Sequence, residues 1–138
     1  MKFLRHIFVK HAVSTVFVLA FIISGSYFYF LQQTQASTTI AVGDNPKYST
    51  LVGTDLYVLN WTAGNVSVVN TTTNTVSTTI TVGSAPSHST LVGTNLYVLN
   101  NGSANVSVIN TTTDTVSATI VVGTTPYHST LVGTDLYV

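Results

Sequence analysis

The sequence contains no cysteine and no glutamate, and charged residues fill only 6% of its 138 positions. Without thiols there can be no disulfide framework, thiolate metal site or thiol nucleophile, so stability has to come from packing and strand pairing. Without glutamate a His-Glu metal motif is excluded, and no phosphate-cradling glycine loop is present. The few charges are segregated: Lys2, Arg5 and Lys10 stand at the N-terminus, whereas beyond residue 36 a single Lys47 is set against Asp44, Asp55, Asp114 and Asp135. A mildly acidic region without a basic patch gives no handle for a phosphate backbone, and nucleic acid is not expected as a partner.

What is present begins with a run of 20 residues, Ala12 to Leu31, that carries no formal charge and follows the basic stretch Met1 to His11. A basic flank before an apolar run is the pattern of an export signal, and the expectation is an N-terminal hydrophobic helix. Two uses remain open over residues 1–36. Small residues at Thr34 and Ala36 suit signal cleavage after Ala36. The length of residues 12–31 and the aromatic cluster Tyr27 to Phe30 suit an uncleaved membrane anchor. Either way the basic residues stay inside and the rest of the chain faces outward, in the cell envelope or outside the cell.

Residues 37–138 are a tandem repeat with a period of 40: Gly43, Gly83 and Gly123 recur at that spacing, as do Pro46, Pro86 and Pro126. Thr39 to Thr78 set beside Thr79 to Ala118 gives 27 identities in 40 positions, and Thr119 to Val138 matches the second copy at 15 of 20. A fixed period of this size marks propeller blades or solenoid coils. Each copy holds four β-branched runs separated by turn chemistry. In the second copy strand A is expected at His88 to Val92, B at Asn95 to Asn100, C at Asn105 to Asn110 and D at Thr115 to Val122. Gly93-Thr94 suits a two-residue type II′ hairpin turn, and Thr111 to Asp114 a longer polar one. In strand B, Leu56 and Val58 alternate with Tyr57 and Leu59, so both faces of the sheet are apolar and each needs cover, as in stacked blades.

Leu56-Tyr57-Val58-Leu59-Asn60, the run Asn105 to Thr111, and Thr115 to Gly123 with Pro126 together resemble the YVTN-type β-propeller repeat. The resemblance covers residues 37–138 and implies four-stranded antiparallel blades in a ring, often of seven, in exported or surface-layer proteins. The sequence departs from the family where Leu51 to Asp55 makes a shorter turn than the usual Ser-Pro-Asp-Gly type, and where Asn70 and Asn110 replace an Asp after strand C.

The fold expected is therefore all-β: tandem four-stranded antiparallel blades of an incomplete β-propeller, about two and a half of them, behind the N-terminal helix. Its parts are a leading strand D at 37–42, a blade at 48–82, a blade at 88–122 and a partial blade at 128–138. Because so few blades cannot close a ring, a truncated gene product, a fragment or a member of an assembly is expected, with open edges.

Of the 13 positions that differ between the first two copies, eight (44, 45, 47, 48 and 61–64) lie in the D to A and B to C links, which share one rim. Variation focused on one rim suits a recognition face for a protein or glycan partner, although long loops also drift where nothing holds them. Tyr48, His88 and His128 hold equivalent places at the start of strand A. The resemblance puts that strand along the central channel. Histidine is the commonest metal ligand, but two without a carboxylate suit packing better than a metal site. Trp61, in a B to C link, is a further candidate for ligand contact. The aspartates stand at turns, where they are expected to cap backbone amides, and six Asn-x-Ser/Thr sequons start at Asn60, Asn65, Asn70, Asn101, Asn105 and Asn110. With no catalytic constellation in view, the reading is an exported binding or structural module with no cofactor and no catalysis. The alternative is part of an exported propeller enzyme of the lactonase or quinoprotein sort, with its site in the channel.

Overall fold

The computed structural model describes residues 17–23, 26–32 and 39–138, which divide into two compact units, Met1–Thr39 and Ile40–Val138. The first unit holds β1 (Phe17–Ile23) and β2 (Ser26–Gln32), paired antiparallel from Phe17↔Gln32 to Ile23↔Ser26. This corrects the expected hydrophobic helix. Val18, Ile22, Ile23 and the aromatic residues 27–30 are strand formers, and a Ser-Gly dipeptide separates the two runs in sequence. Among the described residues no helix is long and apolar enough to cross a membrane. The basic flank and the expected cleavage point after Ala36 lie outside the described residues.

The second unit is built from antiparallel meanders. One sheet consists of β3 (Pro46–Val52), β4 (Asp55–Asn60), β5 (Asn65–Asn70) and β6 (Thr75–Thr81), hydrogen-bonded in chain order. The next repeats it with β7 (Pro86–Val92), β8 (Asn95–Asn100), β9 (Asn105–Asn110) and β10 (Thr115–Val121). A two-stranded sheet of β11 (Thr130–Val132) and β12 (Asp135–Tyr137) follows. The strand expected at 37–42 is not formed over 39–42, which belongs to none of the described sheets and so has no ladder partner; residues 37 and 38 lie outside the described residues.

The hairpins follow their sequence. Val52 pairs with Asp55 across Gly53-Thr54, and Gly53, Gly93 and Gly133 have φ of 59°, 60° and 62°. The threonine after each has negative φ, the type II′ signature. In the four-residue hairpins Asn70 Oδ1 accepts from the amides of Thr72 and Thr73 (both 3.0 Å), and Asn110 does the same for Thr112 and Thr113. The caps are thus these asparagines and not the aspartates expected: Asp55 accepts from Asn70 Nδ2, and Asp114 binds the neighbouring sheet.

The two four-stranded sheets stack face to face, closest along β3 and β7 and diverging toward β6 and β10. Tyr57, Leu59, Val66, Val68 and Ile80 on one sheet meet Leu96, Val98 and Ile109 on the other, all nearly or fully buried. Each such side chain contributes roughly 1.5–3 kcal/mol of transfer free energy, so this seam is the core of the unit. The opposite alternation of the first sheet, Leu56 and Val58, lines its outer face. A polar latch closes the seam, where the buried Tyr57 donates its hydroxyl to Asp114 Oδ1 at 2.5 Å. Burial first, and then the hydrogen bond to Asp114, push the phenol well above its ordinary pKa.

Candidate functional site

The D to A links (residues before β3 and β7) and the B to C links lie together and are tied by their backbones. Trp61 N donates to Asn45 O and Asn101 N to Ala85 O, both at 3.0 Å. Asn45 and Ala85 are left-handed, with φ of 57° and 54°, and each hands the chain to a proline. Proline suits the first position of a strand, having no amide to donate.

Directly after the proline the pairing slips, between Pro46 and Tyr48 in β3 and between Pro86 and His88 in β7. A bulge there changes which way the next side chains point. In a regular strand Lys47 and Tyr48 would face opposite sides. Here both line one groove, together with Ser87 and His88, Tyr127 and His128, and Asn45 and Trp61 from the links. The groove has a volume of about 490 Å³.

All four candidates from the sequence, Tyr48, Trp61, His88 and His128, lie in this groove. Three of them form a stack, Tyr48 from β3, His88 from β7 and His128 from the stretch just before β11. The Tyr48 and His88 rings are 4.6 Å apart between centroids and the His88 and His128 rings 4.5 Å. Beneath the rings runs a hydroxyl ladder that repeats with the sequence: Thr50 to Ser89 and Thr90 to Ser129, each 2.8 Å. Burial first, and then the nearby His128, hold the His88 imidazole below its ordinary pKa. Among the described residues no three His, Asp or Glu side chains gather to hold a metal.

Sequence reasoning missed Asn45, Lys47, Ser87 and Tyr127. Positions 45 and 47 were among those that vary between copies, but regular alternation would have put Lys47 on the other face.

Near the groove, Asn60 and Asn100 are fully buried. The Asn60 amide lies 2.7 Å from Asn65 Oδ1 and 2.9 Å from the Ser67 hydroxyl, and Asn100 repeats this with Asn105 and Ser107. Gly43 and Gly83 press on these amides so closely that an added Cβ would lie 2.6 Å and 2.7 Å from them. The sequon at Asn60 therefore marks a structural asparagine, inaccessible to glycan attachment.

No family model matches the sequence, and no curated protein matches it. Solved structures do. Hydrazine synthase of Kuenenia stuttgartiensis aligns with a TM-score of 0.58 and 26% identity over 69% of this chain and 28% of that one. Apo AztD of Citrobacter koseri aligns with a TM-score of 0.57 and 15% identity over 83% of this chain and 33% of that one. A second AztD structure gives 0.56 and 14%, over 82% and 34%. The fold is propeller-like. The chain spans about a third or less of the length of these structures, and the AztD likeness, at such identities, concerns fold alone.

Proposed function

We propose that the chain is part of an exported β-propeller of the YVTN type that works as a binding module without catalysis, recognising a protein or glycan through the rim of D to A and B to C links. The observation that carries the reading is the groove at that rim, where the variable positions 45, 47, 48 and 61 join His88 and His128. Ligand sites are concave, aromatic-lined and furnished with a few polar groups, and about 490 Å³ falls within their usual range.

The enzyme alternative is less well supported. Among the described residues the serine and histidine in reach of one another at the groove are Ser129 and His88, 3.4 Å apart. Ser129 is 5% exposed and engaged with Thr90. No carboxylate lines the groove to orient the imidazole.

Export rests on the basic flank and uncharged run of residues 1–36, which the translocation machinery reads on the nascent chain. N-terminal sequencing of the protein recovered outside the cytoplasm is expected to begin at Ser37 if the segment is cleaved, and at Met1 if it is an anchor. Retention of the full chain in the cytoplasm would overturn export.

For recognition, the full chain and its Tyr48→Ala/Trp61→Ala variant are compared on a glycan array and against envelope proteins. Partners bound by the parent and lost by an equally well-folded variant support the rim. Undiminished binding by the variant would refute it.

A further inference from the structure

Beyond residue 36 the sequence has only three basic side chains, Lys47, His88 and His128, against four aspartates. In an acidic region these three have no reason of composition to meet. Yet all three line the one groove, and none of Asp44, Asp55, Asp114 and Asp135 does. The positions come from three different copies of the repeat, so it is the stacking of the sheets that unites them.

Other groove residues narrow the choice of ligand. Tyr48, Trp61 and Tyr127 give it aromatic walls, with Tyr48 39% and Tyr127 74% exposed. Aromatic faces held open to solvent suit a ring with an apolar C–H face, and the Asn45 amide and Ser87 hydroxyl supply polar partners for ring hydroxyls. Position 47 is lysine in the first copy alone, with Ser87 and Tyr127 as its equivalents. A single lysine matches one carboxylate. A phosphate chain, by contrast, is held by clustered Arg and Lys or by a glycine loop, and the groove has neither.

We propose that the groove binds an acidic glycan, a uronate-type sugar whose ring lies on the Tyr48 and Trp61 side chains while its carboxylate pairs with Lys47. This deepens the rim reading and rests on it. The His88 imidazole, held below its ordinary pKa by burial and by His128, is largely neutral at neutral pH. Lys47 then supplies the fixed charge.

Trp61 is the one tryptophan of the protein, so tryptophan emission, excited at the red edge where tyrosine does not absorb, reports on this groove alone. The full chain is titrated at neutral pH with trigalacturonate and, separately, with the neutral galactotriose. A saturable change is expected with both, the acidic sugar binding about tenfold more tightly or better. Lys47→Gln is expected to bring the two affinities within about threefold, while Lys47→Arg keeps the gap. Equal affinity of the parent for both sugars would overturn the choice of an acidic ligand and leave a glycan-binding rim standing. A gap that survives in Lys47→Gln would overturn the assignment of the carboxylate to Lys47. No response to either sugar would overturn the glycan inference itself. The rim reading fails separately, if the Tyr48→Ala/Trp61→Ala variant keeps every partner of the parent.

Discussion

The two rims of the stacked sheets are held by different means, and the difference accounts for where the sequence varies. On the rim of the A to B and C to D hairpins, side chains secure the turns. Asn70 and Asn110 cap the amides that follow them, and Thr71 and Thr111 donate their hydroxyls to the carbonyls of Thr54 and Thr94. A turn secured by side chains cannot change its residues freely, and this rim is nearly the same in both copies. On the opposite rim the bonds that recur in both copies run between backbones, Trp61 to Asn45 and Val82 to Gly64 with their counterparts Asn101 to Ala85 and Val122 to Ala104. The side-chain bonds there change with the copy, Asn45 to Thr62 in the first and Ser84 to Ser103 in the second. Backbone bonds accept almost any side chain, so tryptophan, lysine and histidine can be presented there without loss of the fold.

The strongest test of this contrast is its exception. Gly43, Gly83 and Gly123 sit on the variable rim yet do not vary. The first two are fixed by the buried asparagine beneath them, whereas a Cβ at Gly123 meets nothing within 4 Å. Gly83→Ala is expected to destabilise the chain by about 2–3 kcal/mol, since the Asn100 amide has no room to move. Gly123→Ala should cost less than about 0.5 kcal/mol. Urea midpoints measure both. Equal effects at the two positions would show that close approach does not fix the glycine.

Next in size is the latch between sheets. Tyr57→Phe removes a hydrogen bond to a carboxylate and is expected to cost about 1–2 kcal/mol, at the low end because Asp114 is partly solvated. The pH dependence has a definite sign. The phenol is raised in the folded state above its ordinary value of 10.0. Its contribution is therefore complete below pH 10 and is lost as pH rises from there through the folded pKa. Stability measured against pH should fall on the alkaline side in the parent, and fall less in Tyr57→Phe. His88 acts at the other end, because its folded pKa is lowered from 6.5. Its contribution is present above pH 6.5 and lost as pH falls from there through the folded value.

A smaller effect compares the rims directly. Asn110→Ala removes the cap of a hairpin on the repeated rim and is expected to cost about 1 kcal/mol, while Trp61→Ala on the variable rim should change stability by less than about 0.5 kcal/mol. Thermal unfolding of the two variants side by side would break the contrast if Trp61→Ala proved the costlier.

Much of the fold could be read in the sequence because a strand has a period of two and a repeat has a phase. Leu56 and Val58 against Tyr57 and Leu59 required cover on both faces, and the stacked sheets supply it between Tyr57, Leu59 and the equivalents Leu96 and Val98. The groove was legible only in part, for the same reason. Alternation puts Lys47 and Tyr48 on opposite faces, and only the register shift after Pro46 brings both to one side. Residues 12–31 carry hydropathy without a period, so an apolar helix and a strand pair looked alike until the pairing of β1 with β2 decided between them over the described residues. The role of Gly43 was hidden because its partner Asn60 is 17 residues away, and a period reveals recurrence but not contact.

The smallest prediction uses the two copies as each other's control. Gly64 and Ala104 are equivalent residues of the B to C links, and both are left-handed, with φ of 63° and 52°. For alanine that conformation costs about 1–2 kcal/mol through its Cβ, partly offset because alanine loses less chain entropy on folding than glycine. A Cβ at Gly64 would approach only the Gly83 carbonyl, at an ordinary 3.6 Å, so backbone strain and not crowding is the cost of a side chain there. Ala104→Gly is therefore expected to stabilise the chain by about 0.5–1 kcal/mol, and Gly64→Ala to destabilise it by a similar amount. If the two effects are equal and opposite, the rim that varies in sequence keeps one backbone geometry in both copies. If Ala104→Gly gains nothing, the second copy has relaxed its link, and the backbone bonds from Asn101 and Val122 no longer hold that rim as rigidly as those from Trp61 and Val82.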